Sequence, residues 1–149
     1  MRIALYRGKG IVSRLILWQS RGKFSHAAVV MADDSVIESR EFKGVQKRAH
    51  FKPVEGQETV KIFDVSTTLT QEGMIMDFLN KQLGKSYDYL SILRFITRED
   101  TNRYTTNTWF CSELVFAAFQ HAGINLLARI EPWAVSPGQL ATSPLLNPL

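Results

Sequence analysis

Hydrophobic and polar positions change period several times along this chain, and each change marks an element. RIALY (residues 2–6) alternates weakly and predicts a short strand. From Gly10 to Ser20, Ile11, Leu15 and Trp18 recur at helical spacing with Val12 and Ile16 beside them, so this stretch predicts an amphipathic helix. FSHAAVVMADDSVIESREF (residues 24–42) reads as two strands around an Ala32-Asp33-Asp34 turn. TVKIFDV (residues 59–65), rich in β-branched and aromatic residues, is a third strand.

The helical period then takes over. In residues 67–84, Thr68 and Gln71 have capping-box spacing, Met74, Ile75, Phe78 and Leu79 form an apolar face, and Gly84 is placed to end the helix. DYLSILRFI (residues 88–96) predicts a further helix. After a polar loop, a helix opens at Cys111 with Leu114, Val115, Ala118, Phe119 and Ala122 on one face and Gly123 as its terminator. The tail from Pro132 holds four of the five prolines and is expected to wrap the surface with one short helical turn. The elements predict an α+β fold, an antiparallel sheet packed against helices, in a single domain over residues 1–149.

Composition alters this picture little. A chain of 149 residues, 45% hydrophobic and 21% charged, is an ordinary globular domain with room for a core. The net charge of +4 and the pI near 9.4 come from scattered cations, not the dense run of a nucleic-acid tail, so no nucleic-acid partner is expected. No secretory signal and no apolar run of membrane-spanning length is visible. The expected location is cytoplasmic, or virion-associated or exported without a classical signal peptide. One cysteine excludes both an internal disulfide framework and a zinc site of cysteine pairs.

That lone thiol, Cys111, stands where a helix begins, and a helix N-terminus stabilises a thiolate. The plainer alternative is packing, since free cysteine is among the most buried residue types. A thiol nucleophile needs a base, and the base needs an orienting group. Three histidines are available. His50 lies in a basic stretch, QKRAHFK, that reads as a loop. His121 shares the helix of Cys111 but ten residues on, ~15 Å along the axis, and reads as a partner for the helix C-terminus. His26 remains, on a predicted strand.

Glu38 is on the next strand, and the turn decides whether it meets His26. A three-residue Ala32-Asp33-Asp34 turn sets Ala28 opposite Glu38 and leaves His26 diagonal to it on the same face, ~7–8 Å away at Cα. A two-residue Asp33-Asp34 turn pairs Glu38 with Val29 instead and sends it to the opposite face. The three-residue form asks for a left-handed residue at its end, where Asp34 stands in place of the favoured glycine. His26, Glu38, His50 and His121 show no short metal-ligand spacing such as His-Glu-x-x-His, so neither metal nor cofactor is expected.

SHAAVVMADDSVIE, followed much later by WFCSELV, resembles the permuted branch of the NlpC-type, papain-like cysteine hydrolases, which includes YiiX-type proteins and the lecithin retinol acyltransferase group. In that branch the histidine strand precedes the cysteine helix, and a second polar residue stands twelve positions after the histidine, as Glu38 does after His26. YRGKGIVSRLILWQSRGKFSH, GKSYDY and SPGQL resemble further signatures, so the likeness runs from about Tyr6 to Leu140. The glycine-rich turn of the family is replaced here by Ala32-Asp33-Asp34.

The resemblance implies a permuted papain-like fold with Cys111 as nucleophile, His26 as general base and Glu38 orienting the imidazole, the roles that the helix terminus and the hairpin also support. It implies hydrolysis of an amide or ester through a thioester, on a peptide, a peptidoglycan-derived or an acyl-lipid substrate. The backbone N–H of Cys111 and a second donor, for which Tyr6 is a candidate, would hold the oxyanion. Tyr87 is placed to shape the cleft or to serve a structural turn. Trp18, Trp109 and Phe110 are candidates for an acyl pocket or for core packing. Two alternatives stand beside hydrolysis. One is acyl or phospholipase-like transfer on the same triad, and the other a binding or virion-assembly module without turnover.

Overall fold

The computed structural model describes residues 1–52, 57–89 and 107–149. Its elements in chain order are β1 (Arg2–Gly8), α1 (Ile11–Ser20), β2 (His26–Val30), β3 (Val36–Arg40), β4 (Gly44–Arg48), β5 (Gln57–Asp64) and α2 (Leu69–Gln82). Two-residue strands β6 (Ser86–Tyr87) and β7 (Thr108–Trp109) pair in parallel. After them come α3 (Cys111–His121), a 3-10 turn (Pro132–Ala134), α4 (Pro137–Leu140) and β8 (Asn147–Pro148).

The main sheet runs β4-β3-β2-β1-β5-β8, every described pair antiparallel. Alternation splits its faces. Ile3, Leu5, Ala27, Val29, Ile37, Val45 and Phe63 point to the main core, where α2 and α3 cover them with Ile75, Leu79, Leu114, Val115 and Phe119. Ala4, Tyr6, Ala28, Val30 and Val36 form a smaller cluster on the other face.

The β2–β3 turn has the three-residue form. Met31 N–H donates to the Ser35 carbonyl at 2.8 Å, and the ladder continues as Val30 opposite Val36 and Val29 opposite Ile37. Asp34 takes the left-handed position with φ 62°. Its neighbour explains why no glycine is required: Asp33 accepts from both the N–H and the hydroxyl of Ser35, at 2.9 and 2.6 Å, closing an Asx turn. Arg2 clamps the same turn through Asp34 and the Met31 carbonyl, each at 2.7 Å.

Capping follows the sequence. Thr68 and Gln71 exchange the two bonds of a capping box at the start of α2. Gly84 and Gly123 follow α2 and α3 in the left-handed conformation. Three features differ from expectation. GVQKR, whose last three residues open the QKRAHFK stretch read as a loop, forms β4. The outer face of α1 does not pack: Ile16 is buried, while Ile11 and Trp18 are 80% and 70% exposed. The tail does more than wrap the surface, because Val135, Ser136, Pro137 and Leu140 are buried and the Ser112 hydroxyl donates to the Val135 carbonyl. The helix expected over residues 88–96 lies outside the described residues beyond Tyr89.

Candidate active site

Cys111 is the first residue of α3, and α3 packs its apolar face on β2 and β3. The segment before it is fixed from both sides. The Ser39 hydroxyl of β3 donates to the Trp109 carbonyl at 2.7 Å, and Glu113 reaches back to accept from the Phe110 N–H at 3.2 Å. The helix therefore starts at the end of the sheet where β2 begins with His26. The Cys111 side chain is wholly buried among Ile16, Tyr87 and Phe110, near enough to His26 to act on its charge.

His26 in turn holds Glu38, with Nε2 at 2.7 Å from Glu38 Oε2. That contact commits Nε2 and leaves Nδ1 as the ring nitrogen for the sulfur. Glu38 has no exposed surface. A buried carboxylate is costly unless paired and hydrogen-bonded, and β4 supplies the second partner. Arg48 Nε donates to Glu38 Oε1 at 2.7 Å, its Nη1 donates to the Lys52 carbonyl at 3.1 Å, and Gln46 Nε2 stands 3.5 Å from the same Oε1.

These contacts order the charges. Burial works against the His26 imidazolium, but the neighbouring Cys111 and then Glu38 outweigh it and raise its pKa to about 10. Burial likewise opposes the Glu38 carboxylate, and His26 and then Arg48 overcome it, holding the acid down to about 2. From His26 outward, imidazolium, carboxylate and guanidinium alternate in sign, and the buried carboxylate touches a cation on either side.

A groove of about 310 Å³ reaches His26, lined among others by Lys9, Ser13, Ser25, Arg40, Glu41 and Tyr87. Glu41 at its edge is raised above the ordinary carboxylate range by partial burial, against the opposing pull of His26 and Arg40.

A known family matches over residues 10–130, described as a permuted papain-like amidase enzyme of the YaeF/YiiX, C92 family. The chain belongs to this family. Its members are cysteine-dependent amidases and peptidases, so this C92 chain is a thiol hydrolase by class. Among solved structures it is similar to a protein described as metalloprotein yiiX from Escherichia coli O157:H7. The TM-score is 0.71 and the identity 17%, over 99% of this chain and 94% of that one, a likeness that shows the papain-like fold. The sequence matches no curated protein. The donor set at Cys111 does not fit a metal ion. Glu38 directs its two oxygens to His26 and Arg48, and no three His, Cys, Asp or Glu side chains group as ligands among the described residues.

Within this C92 fold the remaining sequence candidates separate. Tyr87 lines the groove and packs beside Cys111, and burial with the nearby sulfur raises its hydroxyl pKa. Tyr6 packs against the imidazole. It pairs with His26 across β1–β2 with ring centroids 5.5 Å apart, and burial, then Glu38, raises its pKa. Its hydroxyl closes no hydrogen bond of ordinary geometry, although Arg48 adjoins it. Trp109 does not line the groove. Its Nε1 donates to Gln82 at 3.1 Å and its ring packs edge-on to Phe78, because the odd-even alternation after Thr108 turns it toward α2. Trp18 faces solvent, and Phe110 packs with Cys111. His50 is exposed, and His121 stacks near Phe78 in the last turn of α3. Sequence reading missed Arg48 and Gln46. Their signal was the alternation of GVQKR, which puts both on one face of a strand beside Glu38.

Proposed function

We propose that the protein hydrolyses an amide or ester through a thioester on Cys111, with His26 as acid and base and Glu38 as the group that orients it. The observation that carries this reading is the His26–Glu38 pair at a groove, with the buried Cys111 at the start of its helix near enough to His26 to act on its charge.

In this reading the Cys111 thiolate attacks the carbonyl carbon, and the π electrons move onto oxygen. The N–H of Cys111 lies in the first turn of α3, where no intrahelical acceptor exists for it, and it donates to that oxyanion. As the tetrahedral intermediate collapses, the bond to the leaving group breaks and His26 Nδ1–H delivers its proton there. Neutral His26 then takes a proton from water, the resulting hydroxide attacks the thioester, and collapse returns thiolate and imidazolium. Lys9, Ser13, Ser25, Arg40 and Glu41 make the groove polar, so water reaches the thioester, and this favours hydrolysis over transfer to another acyl acceptor.

The test uses a thiol-reactive acyl probe at neutral pH. Wild type is expected to label and Cys111→Ala to lose labelling with its thermal unfolding intact. A wild type that ignores such probes would remove the thiolate and the proposal with it.

A further inference from the structure

Helix α1 is apolar on two sides. Its inner side, Val12 and Ile16, packs against Tyr87, Phe110 and Cys111. Its outer side carries Ile11, Leu15 and Trp18, which are 80%, 38% and 70% exposed and share one stripe at i, i+4 and i+7. Single exposed apolar residues are ordinary, but three in register on a helix whose other side already meets the core form a patch. Arg14, three residues after Ile11 and four before Trp18, belongs to the same exposed face. The surrounding sequence from residue 7 to residue 23 holds Arg7, Lys9, Arg14, Arg21 and Lys23 and no carboxylate.

A second apolar prominence stands across the groove. Phe42, in the β3–β4 turn, is 89% exposed with its backbone in the left-handed region, φ 62°. A bulky residue rarely adopts that conformation, and such outliers cluster at functional sites. Tyr89 fixes it there, its hydroxyl accepting from the Phe42 N–H at 2.7 Å and its ring 5.9 Å from the Phe42 ring. Lys9 and Gly10, which lead into α1, and Phe42 line the same groove. Apolar side chains therefore flank a polar mouth from both sides.

We propose that the outer face of α1, together with Phe42, seats the protein on an anionic lipid surface with the mouth of the groove turned toward the headgroups. An interfacial helix needs an apolar stripe that dips below the headgroups and cations that meet them, and α1 supplies both. Tryptophan, with an apolar body and a polar N–H, suits that boundary. No helix among the described residues is long and apolar enough to cross a membrane, so the seat lies along the surface. A second copy is the poorer occupant. Two such faces meeting about a two-fold axis would set like charges against each other with no carboxylate from this stretch between them. Docking goes beyond the hydrolase reading and does not depend on it.

Flotation of the full chain with lipid vesicles tests this directly. Wild type is expected to float with phosphatidylcholine vesicles containing about one third phosphatidylglycerol, far less with phosphatidylcholine alone, and less as salt rises. The double variant Ile11→Gln, Trp18→Gln should bind at least roughly ten-fold more weakly with unchanged thermal unfolding, since both side chains are already in water. Arg14→Glu should weaken binding without touching the apolar stripe, which keeps the test open if the double variant misfolds. Cys111→Ala should float like wild type, whatever becomes of the hydrolase reading. The proposal is overturned if wild type stays unbound at low salt, or if the double variant floats as wild type does. It is equally overturned if the stripe instead holds a dimer that those substitutions dissociate.

Discussion

Glu38 carries a full negative charge with no exposed surface, and the molecule tolerates it because two cations share it. Without Arg48, the fully buried Glu38 would keep His26 as its one close cation, and a costlier carboxylate would support the imidazolium beside Cys111 less well. Arg48→Met is therefore expected to destabilise the fold by about 1–3 kcal/mol, the lower end allowing for the partial exposure of the guanidinium. It should also slow labelling of Cys111 at neutral pH, while Arg48→Lys restores charge but not the aimed Nε and recovers only part. Chemical unfolding and probe-labelling rates measured on the same samples check both. Glu38→Gln keeps the shape and removes the charge, so turnover should fall by at least roughly ten-fold with the sulfur still in place. The imidazolium must be present to protonate the leaving group. With His26 raised to about 10, wild-type acylation should hold through neutral pH and decline only as pH rises through that value.

Turn geometry decided what could be read at the level of elements. The hairpin around Ala32, Asp33 and Asp34 was legible as two registers, and the choice between them rested on one left-handed residue and one Asx bond, Asp33 to Ser35, neither of which has a hydrophobic period. The capping box of α2 and the stop at Gly123 were legible because their chemistry is local. β4 was not, since GVQKR is short, half polar and flanked by charge, and it exists because β3 offers it a ladder from Arg40–Gly44 to Val36–Arg48. β6, β7 and β8 are two residues each, too short for any period to register. The stripe of α1 was legible as a stripe, but Trp18, read as pocket lining or core, faces solvent, because spacing reveals that a face exists and not which way it turns. Two glycine-type positions, one in the β3–β4 turn and one at the first residue of β4, give opposite expectations. Gly44 has φ 67°, and a Cβ there would stand 2.2 Å from the Lys85 carbonyl oxygen, so Gly44→Ala should lower stability by about 1–3 kcal/mol. Phe42 has φ 62° with a side chain in water, so Phe42→Gly should raise stability by about 0.5–1 kcal/mol. Thermal and urea unfolding of the two variants measures the pair, and a stabilising loss of an exposed phenylalanine is the pattern of strain kept for a purpose.

Across the whole molecule, the strand that bears His26 and the helix that bears Cys111 come from stretches more than eighty residues apart, so their meeting is a property of the folded state. The unfolded chain has neither the contact nor the charge shifts, and the dependence of stability on pH reports it. Glu38 is held at about 2 against an ordinary 4.5, so its contribution is complete above 4.5 and is lost as pH falls through 2. His26 is held at about 10 against 6.5, so its contribution is complete below 6.5 and is lost as pH rises through 10. The two overlap fully between 4.5 and 6.5, where stability should be greatest. Replacing the sulfur separates them. In Cys111→Ser the acidic limb should be unchanged, because Glu38 is held by His26 and Arg48 and not by the sulfur. His26, however, loses the largest influence that raises its pKa and keeps only Glu38 against the opposing effect of burial. Its pKa should fall, and the alkaline loss of stability should begin at lower pH than in wild type. Melting temperatures of the two proteins measured across pH should therefore coincide in acid and part company in base. Superimposable curves throughout would mean that the sulfur does not bear on the imidazole, and the ion pair on which the chemistry rests would have to be abandoned.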